Sequence, residues 1–341
     1  LVDAINPNFK KLKKGTTPLA AAIAKPLLGG HRWALSQGLT LVESKLVAHR
    51  QEAEKLVHQI MPHTGKAIRI GITGVPGVGK STFIEAFGEL LIKKGHKLAV
   101  LAIDPSSAKS RGSILGDKTR MEILSQNEKA FIRPSPSSGS LGGVARKTRE
   151  SILLCEAAGY DVILIETVGV GQSETSVKNM VDFFMLLMLA GAGDELQGIK
   201  RGIMEMADLL VINKADDPND SKVRLAMGEY KRALHLFPPN RNEWIPKVLG
   251  ASAIKQTGIE AIWETILSFK NQQELKGYLQ QNRSEQALNW FHDALGELLL
   301  NRIQENETYT EKYQLAENQV KNKTLEPNAA AHQLINEVWK N

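Results

Sequence analysis

The sequence predicts an α/β protein: a mostly parallel sheet flanked by helices, with helical extensions at both ends. Three observations carry this expectation. From residue 66 onward, short apolar runs alternate with segments of helical period. The runs are apolar almost throughout, as in Val162-Ile163-Leu164-Ile165, the pattern of strands buried on both faces. A glycine-rich turn joins the first run directly to a helix.

Taken in order, residues 1–65 form an expected helical N-terminal region. Helices are predicted from Pro18 to Lys25 and, as one piece, from Trp33 to Ile60. The second carries an apolar stripe through Leu39, Val42, Leu46, Val47, His49, Ala53, Leu56, Val57 and Ile60. Gly29-Gly30 separates the two helices, and Pro62 to Gly65 stops the second. A sheet-and-helix domain is expected over 66–268, with strands at 67–73, 97–103, 129–133, 161–166, 183–189, 207–212 and 245–250. Residues 269–341 read as a helical C-terminal region. There Leu288, Trp290, Phe291, Leu295, Leu298, Leu299 and Ile303 are too many apolar residues for a surface helix, so packing on a partner or a second copy is expected.

Composition narrows the function classes. The chain has 341 residues, 42% hydrophobic, with a net charge of +6, ordinary values for a globular protein. The lysine cluster Lys10, Lys11, Lys13 and Lys14 reads as a solvated tail, and no arginine-aromatic interleaving points to nucleic acid. The single cysteine, Cys155, lies in an apolar pattern and reads as a core thiol, consistent with a reducing, cytoplasmic setting. No Cys/His pairing has metal-ligand spacing. The most apolar run, Phe183 to Ala192, is too short for a bilayer, no signal-peptide pattern is seen, and no membrane partner is expected.

The turn after the first strand is Gly74-Val75-Pro76-Gly77-Val78-Gly79-Lys80-Ser81, followed by Thr82. It fits the phosphate-cradling P-loop, so the fold expectation sharpens to a P-loop NTPase core. The glycines let backbone N–H groups close on phosphate oxygens at a helix N-terminus. Lys80 is expected to reach the β- and γ-phosphates and the Ser81 hydroxyl to bind Mg²⁺. Further acids follow at strand ends and in a polar loop. Asp104 and Asp117 are candidate Mg²⁺ ligands, with helix-cap or turn roles as the plain alternative. Glu166, in Glu166-Thr167-Val168-Gly169, stands where a P-loop protein keeps an acid for the metal, and its length favours contact through water. Gln172 lies nearby, but not at the spacing of a water-orienting glutamine.

The sixth strand ends in Asn213-Lys214-Ala215-Asp216, an N-K-x-D motif C-terminal to the P-loop, the order expected of a GTPase. The Asp216 carboxylate suits guanine, which offers an N1–H and a 2-amino group, whereas adenine has neither N1 proton nor 2-amino group. Ser252-Ala253-Ile254 is expected to close over the base through backbone N–H groups. The nucleotide-binding set is thus Gly74 to Thr82 with Asn213, Lys214, Asp216, Ser252, Ala253 and Ile254.

Taken together, these motifs resemble the ArgK/MeaB family of P-loop GTPases, the methylmalonyl-CoA mutase-associated GTPases. The resemblance covers about residues 30–340. It rests on Gly74 to Thr82, Asp104 to Ser107, Gly112 to Met121, Arg133 to Glu150, Glu166 to Glu174, Gly191 to Lys200 and Asn213 to Asp216. It implies a homodimeric, Mg²⁺-dependent GTPase that binds GTP and GDP and has a C-terminal dimerisation arm. It also implies a chaperone role toward adenosylcobalamin-dependent methylmalonyl-CoA mutase, gating cofactor delivery and protecting the enzyme. Asp104, Asp117 and Glu166 match the family's metal and switch acids. Asp194 to Lys200 matches a third switch, and Lys200 joins Lys80 and those acids in the expected catalytic set. Arg111 departs from the family's usual glycine, and residues 1–28 match no part of it. The alternatives are a phosphate-transferring kinase, a GTPase chaperone for a related acyl-CoA mutase, a nickel-insertion GTPase, which would call for Cys/His ligands, and a nucleotide-gated scaffold.

Overall fold

In a computed structural model the described residues are 19–44, 46–104, 121–136, 141–167, 173–191, 201–217, 220–238, 240–305 and 307–338. The chain divides into two compact units, Leu1–Arg283 and Ser284–Asn341.

The first unit opens with three helices: α1 (Ala20–Leu28), α2 (Arg32–Glu43) and α3 (Val47–Ile60). The single helix expected from Trp33 to Ile60 is therefore two. The chain is extended at Ser44 and Leu46. The Ser44 hydroxyl accepts from the Leu46 N–H at 3.3 Å and pairs with His49 Nδ1 at 2.8 Å. A serine hydroxyl offers the backbone a local alternative to the helix, which apolar periodicity does not reveal. Leu46, counted in the apolar stripe, is exposed as a result. Ala34, Leu35, Leu39, Leu56 and Ile60 are buried.

Seven strands follow: β1 (Ile68–Gly74), β2 (Leu98–Asp104), β3 (Ala130–Pro136), β4 (Val162–Thr167), β5 (Phe183–Leu189), β6 (Leu209–Asn213) and β7 (Lys247–Gly250). They form one sheet in the order β3-β2-β4-β1-β5-β6-β7, and every pairing is parallel. All seven expected strands are present, their ends shifted by up to three residues. The helices between them are α4 (Lys80–Lys93), α5 (Glu122–Gln126), α6 (Leu141–Ala157), α7 (Ser173–Lys178), α8 (Arg201–Met206) and α9 (Ser221–Leu234), with α10 (Ile259–Leu275) after β7.

Side chains alternate across the strands, so each strand feeds two layers. One face presents Ile70, Ile72, Val100, Leu164, Met185 and Val211 to Phe83, Phe87 and Leu91 of α4 and to Ile262, Trp263 and Ile266 of α10. The other face presents Leu186, Met188, Leu210 and Ile212 to Val223, Ala226 and Tyr230 of α9. Toward the β3 edge, α6 packs on β2 and β4, and the N-terminal helices pack on α6. Glu43 ties this layer to the sheet. Its carboxylate accepts from Arg133 at 2.5 Å, and its carbonyl accepts from Lys147 at 2.7 Å. Cys155 is fully buried, and burial pushes its thiol pKa far up, as expected of a core thiol.

At the N-terminal ends of the strands a buried charge network closes the first unit. Asp182 accepts from Arg283 at 2.6 Å and from the Arg69 N–H at 2.9 Å. Arg283 also donates to the carbonyls of Gly65 and Ala67 at 2.6 Å. Arg69 itself pairs with buried Glu156 at 2.9 Å.

Helix α11 (Tyr278–Glu305) begins in the first unit and runs into the second, which continues with α12 (Glu307–Lys321) and α13 (Pro327–Val338). Within the second unit α12 packs on α13, and Lys312 pairs with Glu337 at 3.0 Å.

Candidate nucleotide site

Strands β1, β4, β5 and β6 end together at the carboxyl edge of the sheet, where ligands of parallel α/β folds bind. The P-loop leaves β1 at Gly74. A Cβ there would lie 2.5 Å from the Leu187 carbonyl, so only glycine lets β1 run against β5 to its end. Gly77 and Gly79 have φ of 78° and 90°, the left-handed region that glycine enters without strain. A Cβ on Gly77 would meet nothing within 4 Å, so the loop bounds open space. Helix α4 starts at Lys80, and Val78 is buried beneath the loop. Loop, glycines and helix start together suit a polyphosphate.

Lys80 Nζ donates back to the Gly74 carbonyl at 2.9 Å, with Val75 O at 3.4 Å. Burial lowers the pKa of this lysine, while the charges of Glu166 and Glu174 pull it back up. Glu166 lies opposite Ile72 of β1 and Ala102 of β2 in the register, two residues from the start of the loop. Next to it, the Thr167 hydroxyl donates to the Thr73 hydroxyl at 2.7 Å, in a buried pair that locks the ends of β4 and β1.

The N-K-x-D segment reaches the same loop from β6. Asn213 Nδ2 donates to the Val78 carbonyl at 2.8 Å, and Lys214 Nζ to the Gly77 carbonyl at 3.0 Å. Asn213 Oδ1 is buried with no partner among the described residues, an acceptor of the kind a bound ligand completes. Lys214 has a φ of 58°, a left-handed conformation that a lysine adopts only under constraint. Beyond it, Asp216 Oδ1 accepts from the Ser252 hydroxyl at 2.5 Å. The Ser252 loop is closed by a reciprocal pair with Thr257, at 3.0 and 3.1 Å, and its hydroxyl also accepts from the Lys255 N–H at 3.0 Å. The Ser252 N–H is thereby engaged within the loop, while Ile254 is 75% exposed at its tip.

The structure therefore brings Gly74 to Thr82, Glu166, Asn213, Lys214, Asp216 and Ser252 to Ile254 to one edge of the sheet. Asp104 ends β2 at that edge, but its side chain lies outside the described residues. So do Asp117, Lys200, Gln172, Arg111 and Asp194. Among the described residues no three His, Cys, Asp or Glu gather as a metal site. Three features escaped the sequence reading: the Thr73–Thr167 pair, the grip of Asn213 and Lys214 on the P-loop, and Glu174. Only the polar residue Thr73 at the end of an apolar strand could have signalled the first.

A P-loop on a parallel sheet, gripped by an N-K-x-D segment, defines a P-loop GTPase. A family model described as "Methylmalonyl Co-A mutase-associated GTPase MeaB" matches residues 35–308, and the chain belongs to this family. It is 51% identical to GTPase ArgK of Escherichia coli (strain K12) over 316 residues, which cover 93% of this chain and 95% of the relative. It is 46% identical to the mitochondrial methylmalonic aciduria type A homolog of Mus musculus over 319 residues, covering 91% of this chain and 77% of the relative. Among solved structures, one titled "Crystal structure of LAO/AO transport system kinase" superposes with a TM-score of 0.74 at 44% identity, covering 94% of this chain and 97% of that one. The protein is a GTPase and binds guanine nucleotide.

Proposed function

We propose that the chain is a Mg²⁺-dependent GTPase that serves as a chaperone for adenosylcobalamin-dependent methylmalonyl-CoA mutase, gating cofactor delivery and protecting the mutase. The observation that supports this most is the joint grip of Asn213 and Lys214 on the P-loop, in a chain whose family is described by association with that mutase. In this reading the P-loop N–H groups hold the phosphates and Lys80 exchanges its two carbonyl acceptors for β- and γ-phosphate oxygens. Asp216 accepts from the guanine N1–H and 2-amino group, with Ser252 fixing its carboxylate.

Ser81 and Glu166 offer oxygens that fit a hard cation, with Asp104 and Asp117 as further acids; bound Mg²⁺ would neutralise charge developing on the phosphates. The sequence offers no evident general base, and in this reading catalysis rests on positioning and charge stabilisation. Intrinsic turnover is then slow and is raised by a partner that orders the segments around the γ-phosphate, Lys200 included. A homodimer joined through the C-terminal helices completes the proposal.

GTP turnover measured with and without purified methylmalonyl-CoA mutase from the same source tests it. Stimulation with GTP, absent with ATP, is expected. An unchanged rate would remove this mutase as the client and turn the search to a related acyl-CoA mutase, or to transfer of phosphate to an acceptor other than water.

A further inference from the structure

Thr73 and Thr167 are 1% and 0% exposed, and the Thr167 hydroxyl donates to the Thr73 hydroxyl at 2.7 Å. Their buried neighbours on the two strands, Ile70, Ile72, Leu164 and Ile165, are apolar. The fold does not call for hydroxyls here. Valine has nearly the shape of threonine, and replacing both members of a buried hydrogen-bonded pair by apolar groups of the same shape can be close to neutral for stability. The place of the pair in the chain is particular. Thr73 is the last residue before Gly74 opens the P-loop, and Thr167 directly follows Glu166.

Alternation along the strands puts the acid and the pair on opposite faces. Ile72 and Glu166 are register partners, one residue before the two threonines. Ile72 lies in the layer that packs on α4, the helix that begins at Lys80, so Glu166 points to the α4 side. Gly71 faces Val177 of α7, 3.0 Å from an added Cβ, so Thr73 and Thr167 lie on the α7 side. The register of β1 on β4 ends at Ile72 and Glu166. The hydroxyl bond carries the pairing one residue further, to the edge of the loop. Threonine is stiff at χ1, so a bond between two such side chains fixes the backbone that carries each of them. The Cα of Glu166 is thereby held relative to the first residue of the P-loop.

We infer that Thr73 and Thr167 are positioning residues of the nucleotide site: their hydrogen bond holds Glu166 in register with the P-loop, where it serves the metal beside the phosphates. The inference rests on the reading of Glu166 as an acid for that metal. The threonines lie on the far face of the sheet and act through Glu166. A carboxylate that works through water serves its ion only from a defined place, and groups that orient such a residue matter nearly as much as the residue itself. A small displacement of a positioned group is enough to slow the chemistry.

The test uses the full chain and a fluorescent, non-hydrolysable GTP analogue. Its affinity is measured in EDTA and across a Mg²⁺ titration, with GTP turnover and melting temperature alongside. Thr73→Val strands the Thr167 hydroxyl and should lower the melting temperature. Thr73→Val combined with Thr167→Val leaves neither hydroxyl and should melt near wild type. Both the single and the double variant should need roughly tenfold more Mg²⁺ to tighten the analogue, the low end for loss of an orienting hydrogen bond. Affinity in EDTA should not move, and kcat should fall with KM near wild type. Thr167→Ser, which keeps the hydroxyl, should behave as wild type. A double variant with an unchanged Mg²⁺ requirement overturns the inference. So does one that fails to fold or binds poorly in EDTA as well, because the pair would then serve the fold or the whole loop. Glu166→Gln, run in parallel, should raise the Mg²⁺ requirement at least as far. An unchanged requirement there refutes the metal role of Glu166 and the inference with it. That failure is distinct from a silent threonine pair beside a responsive Glu166→Gln.

Discussion

Asp216 is held in its free form by the Ser252 hydroxyl at 2.5 Å, so the carboxylate waits in one orientation and little ordering cost falls on ligand binding. Its proposed work is to accept two hydrogen bonds from guanine. Asp216→Asn keeps the size but turns one acceptor into a donor, which then faces the guanine 2-amino group. A charged hydrogen bond is lost and a donor is left opposite a donor. GTP affinity should fall by about 10²-fold, from roughly 1.5–3 kcal/mol for the charged bond. Xanthosine triphosphate, with a carbonyl where guanine has the amino group, should gain over GTP. Titration of both nucleotides against the variant checks this, and an unchanged order would remove Asp216 from the base site.

At the scale of elements, the base-side loop between β7 and α10 depends on one glycine. Gly258 has a φ of 76°, and an added Cβ would lie 2.2 Å from the Gly250 carbonyl. Gly258→Ala therefore meets both left-handed strain and backbone overlap, for a loss of about 3 kcal/mol if the turn is kept. The loop would shift instead, pulling Ser252 from Asp216. GTP affinity and melting temperature should fall together, as mant-GTP titration and calorimetry would record, whereas Gly228→Ala on α9, with only the end of the Arg232 side chain near at 3.9 Å, should leave both near wild type.

What the sequence made legible follows the same division. The seven strands were legible because a parallel sheet buries both faces and writes itself as apolar runs. The P-loop and N-K-x-D were legible because phosphate and guanine chemistry demand those residues at fixed spacing. The break at Ser44 was not, since one hydroxyl competing locally for the backbone leaves the apolar period intact. Nor were the grip of Asn213 on Val78 and the burial of Glu174, which arise only when the sheet brings the end of β6 to the P-loop and packs α7 on β1.

At the scale of the whole molecule, α11 has two chemistries along its length. Near its start Arg283 is bound to buried Asp182 and to two backbone carbonyls. That arrangement is stable only if all its partners stay, because removing one member of a buried pair strands the other. Further on, Leu288, Phe291, Leu295 and Leu298 are 60%, 59%, 43% and 46% exposed. Their spacing of three, four and three residues places them on one helical face, the seam of a helix that pairs with another. Single exposed leucines are ordinary, but a row of this kind marks an interface. A second copy of the chain is the proposed occupant, and a self-complementary stripe suits a two-fold contact. Leu288→Lys combined with Phe291→Lys places two like charges on the seam, and each is repeated on the partner. Sedimentation equilibrium should show the mass falling from two chains to one. GTP affinity should stay near wild type, because no residue of the proposed nucleotide site lies in Ser284–Asn341. A double variant that still sediments as two chains would exclude this face from the dimer.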